Sequence, residues 1–357
     1  MIVGGGQAGL ATARALIDRG VSCVVLEHHP RVGDTWRQRY DSLRLFTPAR
    51  YDGLPGLRFP GPPGAYPGKD EVADYLEAYA ARFDLPVRTG VLVTRVARDP
   101  EGCFDVATDV GSYRCGAVVV ATGTYGSSPH VPAAAGRLDP SIQQLHSSEY
   151  RRPSQLLDGP VLVVGASHSG CDIAYELAAT RTTTLVGPDR GQVPVRWGSR
   201  PLSLAWPLAM ATGRHILTRA TPAGRLLVPH IRQRGGPMLR VRRADLAERG
   251  VVRNTARVVG TREGRPLVDD GTLIDARTIV WATGFEQHFG WIDLPVLDRR
   301  GWPREWRGVA DDVDGLYFCG LAFQYSLASG DLAGVAADAR YLARRIGARA
   351  TACARCR

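Results

Sequence analysis

Two strand–glycine-turn–helix units in one chain predict an α/β protein with two Rossmann-type dinucleotide-binding domains, the second inserted in the first. Three observations carry this. Residues 1–9, MIVGGGQAG, open the chain on one unit, and residues 161–177, VLVVGASHSGCDIAYEL, form another in mid-chain. The stretches VVVATG (118–123) and IVWATGF (279–285) are apolar strands that each run into a small turn, one before and one after the second unit. Ligands bind at such carboxyl ends of parallel strands. There glycine lets backbone N–H groups and a positive helix end approach a pyrophosphate.

In the first unit Gly4, Gly6 and Gly9 have the G-x-G-x-x-G spacing, and Leu10, Ala13, Leu16 and Ile17 give the next helix one apolar face. Residues 21–26 read as the second strand. Glu27 ends it, 18 residues after Gly9, where a carboxylate accepts hydrogen bonds from an adenosine ribose. Only Ile2 and Val3 precede the glycines. An average strand has ~5 residues, which predicts a mis-assigned start with a few strand residues missing upstream. Periodicity then disappears over residues 28–68, which hold seven prolines and the aromatics Trp36, Tyr40, Phe46, Tyr51, Phe59 and Tyr66. A long irregular segment of this kind is usually functional, and this one suits a flat ring system. Residues 70–83 read as a helix with Val72, Leu76 and Tyr79 on one face. Residues 87–96, 103–108 and 111–120 read as strands of a small antiparallel unit.

In the second unit Gly165 and Gly170 keep the first and last glycine positions, and Ser167 takes the middle one. Serine is small enough for phosphate approach, and its hydroxyl can donate. The stretch superficially suggests a hydrolase elbow, G-x-S-x-G, but the last glycine that elbow requires is Ser169. The next strand, 182–186, ends at Gly187 with no acid, which removes repulsion of a 2′-phosphate. Arg190 stands ready for that phosphate, with Asp189 beside it opposing. Residues 191–249 are rich in Pro and Arg, with Trp197, Trp206 and Met210 read as core. Residues 251–273 alternate as short strands, 316–319 form a last strand before Gly320, and 332–346 form a closing helix.

Composition narrows the class. The formal charge is +10, yet only Lys69 among 45 basic residues is lysine, and no basic helix or aromatic-interleaved patch stands out. Nucleic-acid binding is therefore not expected. No run approaches the ~20 apolar residues of a membrane span. The best stretch, 202–210, is broken by Pro207. With a glycine turn from residue 4 there is no secretory signal, so a cytoplasmic protein is expected. Seven cysteines, mostly in apolar strands, read as reduced core thiols. The CxxC of Cys353 and Cys356 falls in a tail expected to be frayed. Eight histidines show no metal spacing, so no metal is expected.

The first glycine unit, RVGDTW (31–36), VVVATG, LHSSEY (145–150), IVWATGF and GLYFCGLAFQYSLASG (315–330) together resemble the flavin-containing monooxygenase superfamily. The similarity is greatest to compact bacterial members and the plant YUCCA-type enzymes, and it covers nearly the whole chain. It implies FAD on Gly4, Gly6, Gly9, Glu27, Gly33, Trp36, Val93, Ala121, Gly123, Gly320 and Gln324. It implies NADPH on Gly165, Ser167, His168, Ser169, Gly170, Arg190 and Thr283. The implied division is a FAD domain at 1–152, an NAD(P)H domain at 153–281, a FAD return segment at 282–346 and a disordered tail at 347–357. Of the family's linker pattern, F-x-G-x-x-x-H-x-x-x-Y/F/W, His146 and Tyr150 are present, while Pro140 and Ile142 replace the Phe and first Gly.

The resemblance implies that NADPH reduces FAD and that O₂ then forms a flavin C4a-hydroperoxide. This gives one oxygen atom to a small amine, sulfide or carbonyl compound. Implied catalytic residues are His146, Tyr150 and Thr47. Thr47 enters because the family's flavin-side Asn has no counterpart here; the single asparagine, Asn254, falls in the nucleotide domain. Expected partners are a small-molecule substrate and O₂, with no nucleic acid and no membrane; a homodimer stays open. Two other readings stay open: a reductase passing electrons to another acceptor, and a nucleotide-sensing module without catalysis.

Overall fold

The computed structural model of the chain describes residues 1–125 and 128–352. Two sheets dominate. The first has seven strands in the order Glu305–Trp306, Val309–Ala310, Leu316–Phe318, Val118–Val120, Ile2–Val3, Val25–Leu26 and Val87–Arg88. From Leu316–Phe318 to Val87–Arg88 its pairings are parallel; the two pairings made by Val309–Ala310 at the other edge are antiparallel. The second sheet has five parallel strands: Val252–Asn254, Thr183–Val186, Val161–Val164, Thr278–Trp281 and Gln143–His146. Every strand of the second sheet lies in sequence between Val118–Val120 and Leu316–Phe318 of the first, so one α/β unit is inserted in the other.

The parallel strands are apolar on both faces because helices cover them. Val118–Val120, Val161–Val164 and Thr278–Trp281 are buried throughout. Helix Gln7–Ile17 buries Leu10, Ala13 and Leu16 and packs against the last helix, Val335–Ala352, which contributes Val335, Ala339, Leu342 and Ala343 to the same core. That helix starts three residues later than the sequence suggests and runs on to Ala352. Asp331 accepts from the N–H groups of Gly334 and Val335 and so sets its beginning. Cys353 and Cys356 lie outside the described residues.

The first strand is as short as the sequence implies, two residues, yet it is central. Ile2 pairs with Val25 on one side and Val119 on the other. Val93–Arg98, Phe104–Thr108 and Gly111–Cys115 form the expected antiparallel unit, but Val118–Val120 leaves it for the main sheet. Among the described residues no helix is long and apolar enough to cross a membrane.

Candidate cofactor and active site

The first glycine turn is built by close backbone contact. The Gly4 N–H donates to Leu26 O at 2.8 Å, and a Cβ on Gly4 (φ +107°) would stand 2.6 Å from Ala121 O. A Cβ on Gly9 would stand 1.9 Å from Gly4 O, so strand and helix meet only because both positions lack side chains. Gly6, at the head of helix Gln7–Ile17, has open space where its side chain would be. That opening, at a helix end whose first N–H groups have no intrahelical partner, is a cradle for a pyrophosphate. Ala121 donates to Val3 O, and Gly123 turns the chain away at φ +76°. Gly320 presses on Ala8, and Gln7 Nε2 reaches Gly330 O at 3.4 Å, bringing the return segment to the same helix end. Gly33 (φ +90°) opens the short helix Asp34–Arg37, backed so closely by Ala73 that a Cβ would clash, and Trp36 rests half-buried on the core.

Glu27 is buried at the end of its strand. Its carboxylate accepts from Gly5 N at 2.6 Å and His29 N at 2.9 Å, with His28 Nδ1 at 3.1 Å. Burial alone would raise its pKa; the hydrogen bonds from His28, His29 and Gly5 outweigh burial and hold it below the ordinary carboxylate value. One ligand atom from each of Glu27, His28 and His29 falls within 4.8 Å of the others; toward the carboxylate itself His28 offers its ring Nδ1 and His29 its backbone N–H.

Val93 and Gln324 take the following places. Val93 pairs with Thr108 in the antiparallel unit. The backbone that runs beside Glu27 is two residues earlier, with Gly90 N on His29 O and Val91 N on Glu27 O. Gln324 is fully buried: its Nε2 turns inward against Gly308 without a hydrogen-bond partner, its Oε1 accepts from Leu321 N, and its backbone N–H and C=O are taken by Leu321 O and Arg219.

The second turn repeats the design. Gly165 (φ +112°) abuts Ala282 O, and a Cβ on Gly170 would stand 1.7 Å from Gly165 O. Ser167 heads helix His168–Leu177, but its hydroxyl donates to Gly236 O at 2.9 Å. The loop of Gly235 and Gly236 also lies against the His168 ring. Burial lowers the pKa of His168, and its ring stands 5.9 Å from that of Phe46. Ser169 lies half-buried in the first helical turn, next to Tyr40. Thr283 bonds His130 O. At the ribose end of the turn Gly187 replaces the acid, and Arg253 bonds the carbonyls of Gly187, Asn254 and Leu185. Asp189 is paired with Arg243 at 2.6 Å, which neutralises it, and Arg190 lies half-buried beside it. Arg253 and Arg243 had no motif to mark them; only pairing with the strand end brings them there.

The residues between the turns take defined roles. His146 is buried, with Nε2 3.0 Å from Gly284 O and Nδ1 2.8 Å from Ser148 Oγ. A carbonyl can only accept, so Nε2 carries the proton and Nδ1 accepts. Burial, the largest cause, lowers its pKa and keeps the ring neutral. It also stands edge-on to Phe285, with 5.0 Å between ring centroids. His146 therefore ties the strand Gln143–His146 to the turn after Thr278–Trp281. Tyr150 is fully buried, and its hydroxyl donates to Glu176 Oε2 at 2.8 Å, which commits it to holding helix His168–Leu177.

Thr47 is also committed: its hydroxyl lies 2.5 Å from Asp52 Oδ1. Asp52 is fully buried and its Oδ2 has no partner. Burial raises its pKa to about 7, with Asp331 adding to the effect. Asp331, next to Gly330, is half-buried, and its carboxyl is likewise raised to about 7 by burial. Burial, with the charges of Asp52 and Asp331 adding to it, raises the phenols of Tyr75 and Tyr125 respectively. An acid in an irregular, proline-rich segment gives no sequence signal, so Asp52 was not foreseen.

Two glycine cradles on one chain, one ending in a buried acid and the other in a glycine backed by arginine, define a two-nucleotide oxidoreductase. Comparison with known proteins agrees. Residues 1–194 match the family described as pyridine nucleotide-disulphide oxidoreductase. An uncharacterized CzcO-like oxidoreductase of Geobacillus kaustophilus is 38% identical over 352 residues, 96% of each chain. Indole-3-pyruvate monooxygenase YUCCA1 of rice is 32% identical, covering 95% of this chain and 90% of its own. The solved flavin-containing monooxygenase of Stenotrophomonas maltophilia superposes with a TM-score of 0.77 at 26% identity, over 98% of this chain and 97% of that one.

The chain belongs to the pyridine nucleotide-disulphide oxidoreductase family and, within it, to the flavin-containing monooxygenase superfamily. It is an NAD(P)H-dependent flavin oxidoreductase whose cofactors are FAD and NADPH. The open position at Gly6 and the buried acceptor Glu27 fit FAD. The acid-free end at Gly187, backed by Arg253, fits NADPH.

Proposed function

We propose that this flavin monooxygenase is a cytoplasmic enzyme that transfers one atom of O₂ to a small amine, sulfide or carbonyl compound, using NADPH as reductant. FAD held on the first turn would supply hydride acceptance from NADPH and activation of O₂. The chain's residues do the rest. Glu27 accepts from the adenosine ribose, the N–H groups after Gly6 and Ser167 bind the two pyrophosphates, and Arg253 supports the 2′-phosphate end. His146, neutral and bonded at both nitrogens, positions the linker rather than moving a proton. The Asp52 carboxyl, with Thr47 on Oδ1 and Oδ2 unpaired, is one of the acids, with Asp331 and Asp338, that burial fits to hold a proton toward neutral pH.

One observation carries the choice of oxygen transfer over dithiol reduction. Cys319, the thiol next to Gly320 at the first turn, is fully buried and is pushed up to about 12 by burial. The other free thiols, Cys23, Cys115 and Cys171, are also buried or half-buried. No reactive thiol is therefore available beside the flavin site among them. The test is NADPH-driven turnover of an amine, a sulfide and a ketone under isotopically labelled O₂. Label in a product supports the reading. NADPH oxidation with peroxide but no labelled product, together with rapid reduction of a quinone or disulfide, would replace it with the reductase reading.

A further inference from the structure

From Arg190 to Ala244 the sequence holds eleven arginines and no Asp or Glu. The same span carries the three most exposed of the chain's exposed large apolar side chains among the described residues: Leu204 at 83%, Leu226 at 74% and Leu208 at 72%. Helix Arg200–Ala211 is apolar on opposite sides. Leu202, Trp206 and Met210 are buried against Tyr51, Tyr66, Trp197 and Ala333. Leu204, Pro207 and Leu208 face outward, and no charged residue follows Arg200. A helix of a water-facing surface has one apolar stripe, so a second contiguous one marks a contact. The π-helical turn Thr212–Ile216 adds exposed Ile216, and helix Pro222–Arg234 adds Leu226. Trp306 lies half-exposed nearby, with the Arg219 guanidinium 5.2 Å from its ring.

We propose that this face docks on an anionic phospholipid bilayer. The two helices lie in the plane of the interface, with Leu204, Leu208, Ile216 and Leu226 in the acyl boundary and arginines among the headgroups. The charges select this occupant. Arg196, Arg219, Arg232, Arg240 and Arg243 pair with acids from outside the span: Asp245, Glu305, Glu305, Asp172 and Asp189. Arg200 and Arg225 are exposed and form no ion pair among the described residues, leaving them for headgroup phosphates. A second copy would set the exposed Arg200 and Arg225, which form no ion pair among the described residues, against their own counterparts, and like charge would oppose like. Outward leucines offer a nucleic acid nothing to bind. No described helix can span a bilayer, so the contact is in-plane.

The experiment is flotation of the FAD-loaded protein with vesicles of phosphatidylcholine alone or with about one-third phosphatidylglycerol, at low and high salt. The wild type is expected to float at least ~10-fold more with the anionic vesicles, and salt should weaken this. The triple variant L204S/L208S/L226S is expected to lose ~10-fold in partition while retaining its flavin absorbance. The pair R200Q/R225Q should lose ~3-fold or more on anionic vesicles only. A wild type that stays with the aqueous phase would overturn the proposal, as would leucine variants that float like the wild type. So would lipid-free sedimentation showing a stable oligomer that the triple variant abolishes, which would give the face to a second copy.

Discussion

The two glycine turns share one backbone plan and finish it in opposite ways. At the first, the strand ends in buried Glu27, whose carboxylate bonds back to Gly5 within the turn. At the second, the strand ends in Gly187, and positive charge comes from Arg253, a neighbouring strand away. Gly6 at the first turn meets open space. Ser167 at the second already holds the Gly236 carbonyl. The first cradle is thus finished by its own local sequence and the second by distant segments. That difference explains why one was readable and the other only partly so.

The sharpest way to separate the cradles is to fill each in turn. Gly9→Ala and Gly170→Ala place a Cβ 1.9 Å and 1.7 Å from the facing carbonyl oxygens, so the helix must move off its turn. Each is expected to weaken its own nucleotide ~100-fold or more and spare the other. Gly170→Ala should keep its yellow colour while the KM for NADPH rises; loss of flavin from both would mean that the turns are not independent. Glu27→Gln comes next: an ionised acceptor of two backbone N–H groups becomes a neutral one, with FAD retention expected to fall ~10–30-fold and NADPH affinity little changed. Fluorescence of released flavin reads this directly.

The third prediction concerns pH at the first cradle. Glu27 is held below its ordinary value, whereas Asp52 and Asp331 are raised to about 7. A raised carboxyl keeps, when folded, a proton that the unfolded chain releases, so its contribution to stability falls as pH rises from the unfolded value through about 7. Asp52→Asn is expected to remove that loss. It should gain ~1–2 kcal/mol over wild type between about pH 5 and pH 8 in apoprotein denaturation. A difference that does not change with pH would show Asp52 ionised throughout. The smallest effect belongs to Ser167→Gly, which restores a glycine and frees the Gly236 carbonyl; NADPH affinity should shift by ~3-fold or less, read by titration.

Much of the architecture was legible because parallel strands buried on both faces read as plain apolar runs, and glycines at fixed spacing report contacts that no side chain permits. Gly4, Gly9, Gly165 and Gly170 are of this kind. The side chains around the site were less legible. Thr47 and Tyr150 offered hydroxyls in the sequence, but their actual partners, Asp52 and Glu176, follow only from packing. A Val-rich strand likewise does not reveal which residue runs beside Glu27, which is Val91, while Val93 pairs with Thr108. The apolar outer face of helix Arg200–Ala211 was hidden for a related reason. Its sequence is apolar on every side, so it reads as core until burial separates Trp206 from Leu204.

The bond from Ser167 to Gly236 has a kinetic meaning. A phosphate that recruits the Ser167 hydroxyl must first displace a carbonyl of the protein's own backbone, and Gly236 sits just past the end of helix Pro222–Arg234. If the nucleotide takes the Ser167 hydroxyl, occupancy of the second turn becomes a competition between an arriving phosphate and an internal surrogate. Affinity would then reflect the difference between two contacts, and the rate of entry would follow how often that loop lets go.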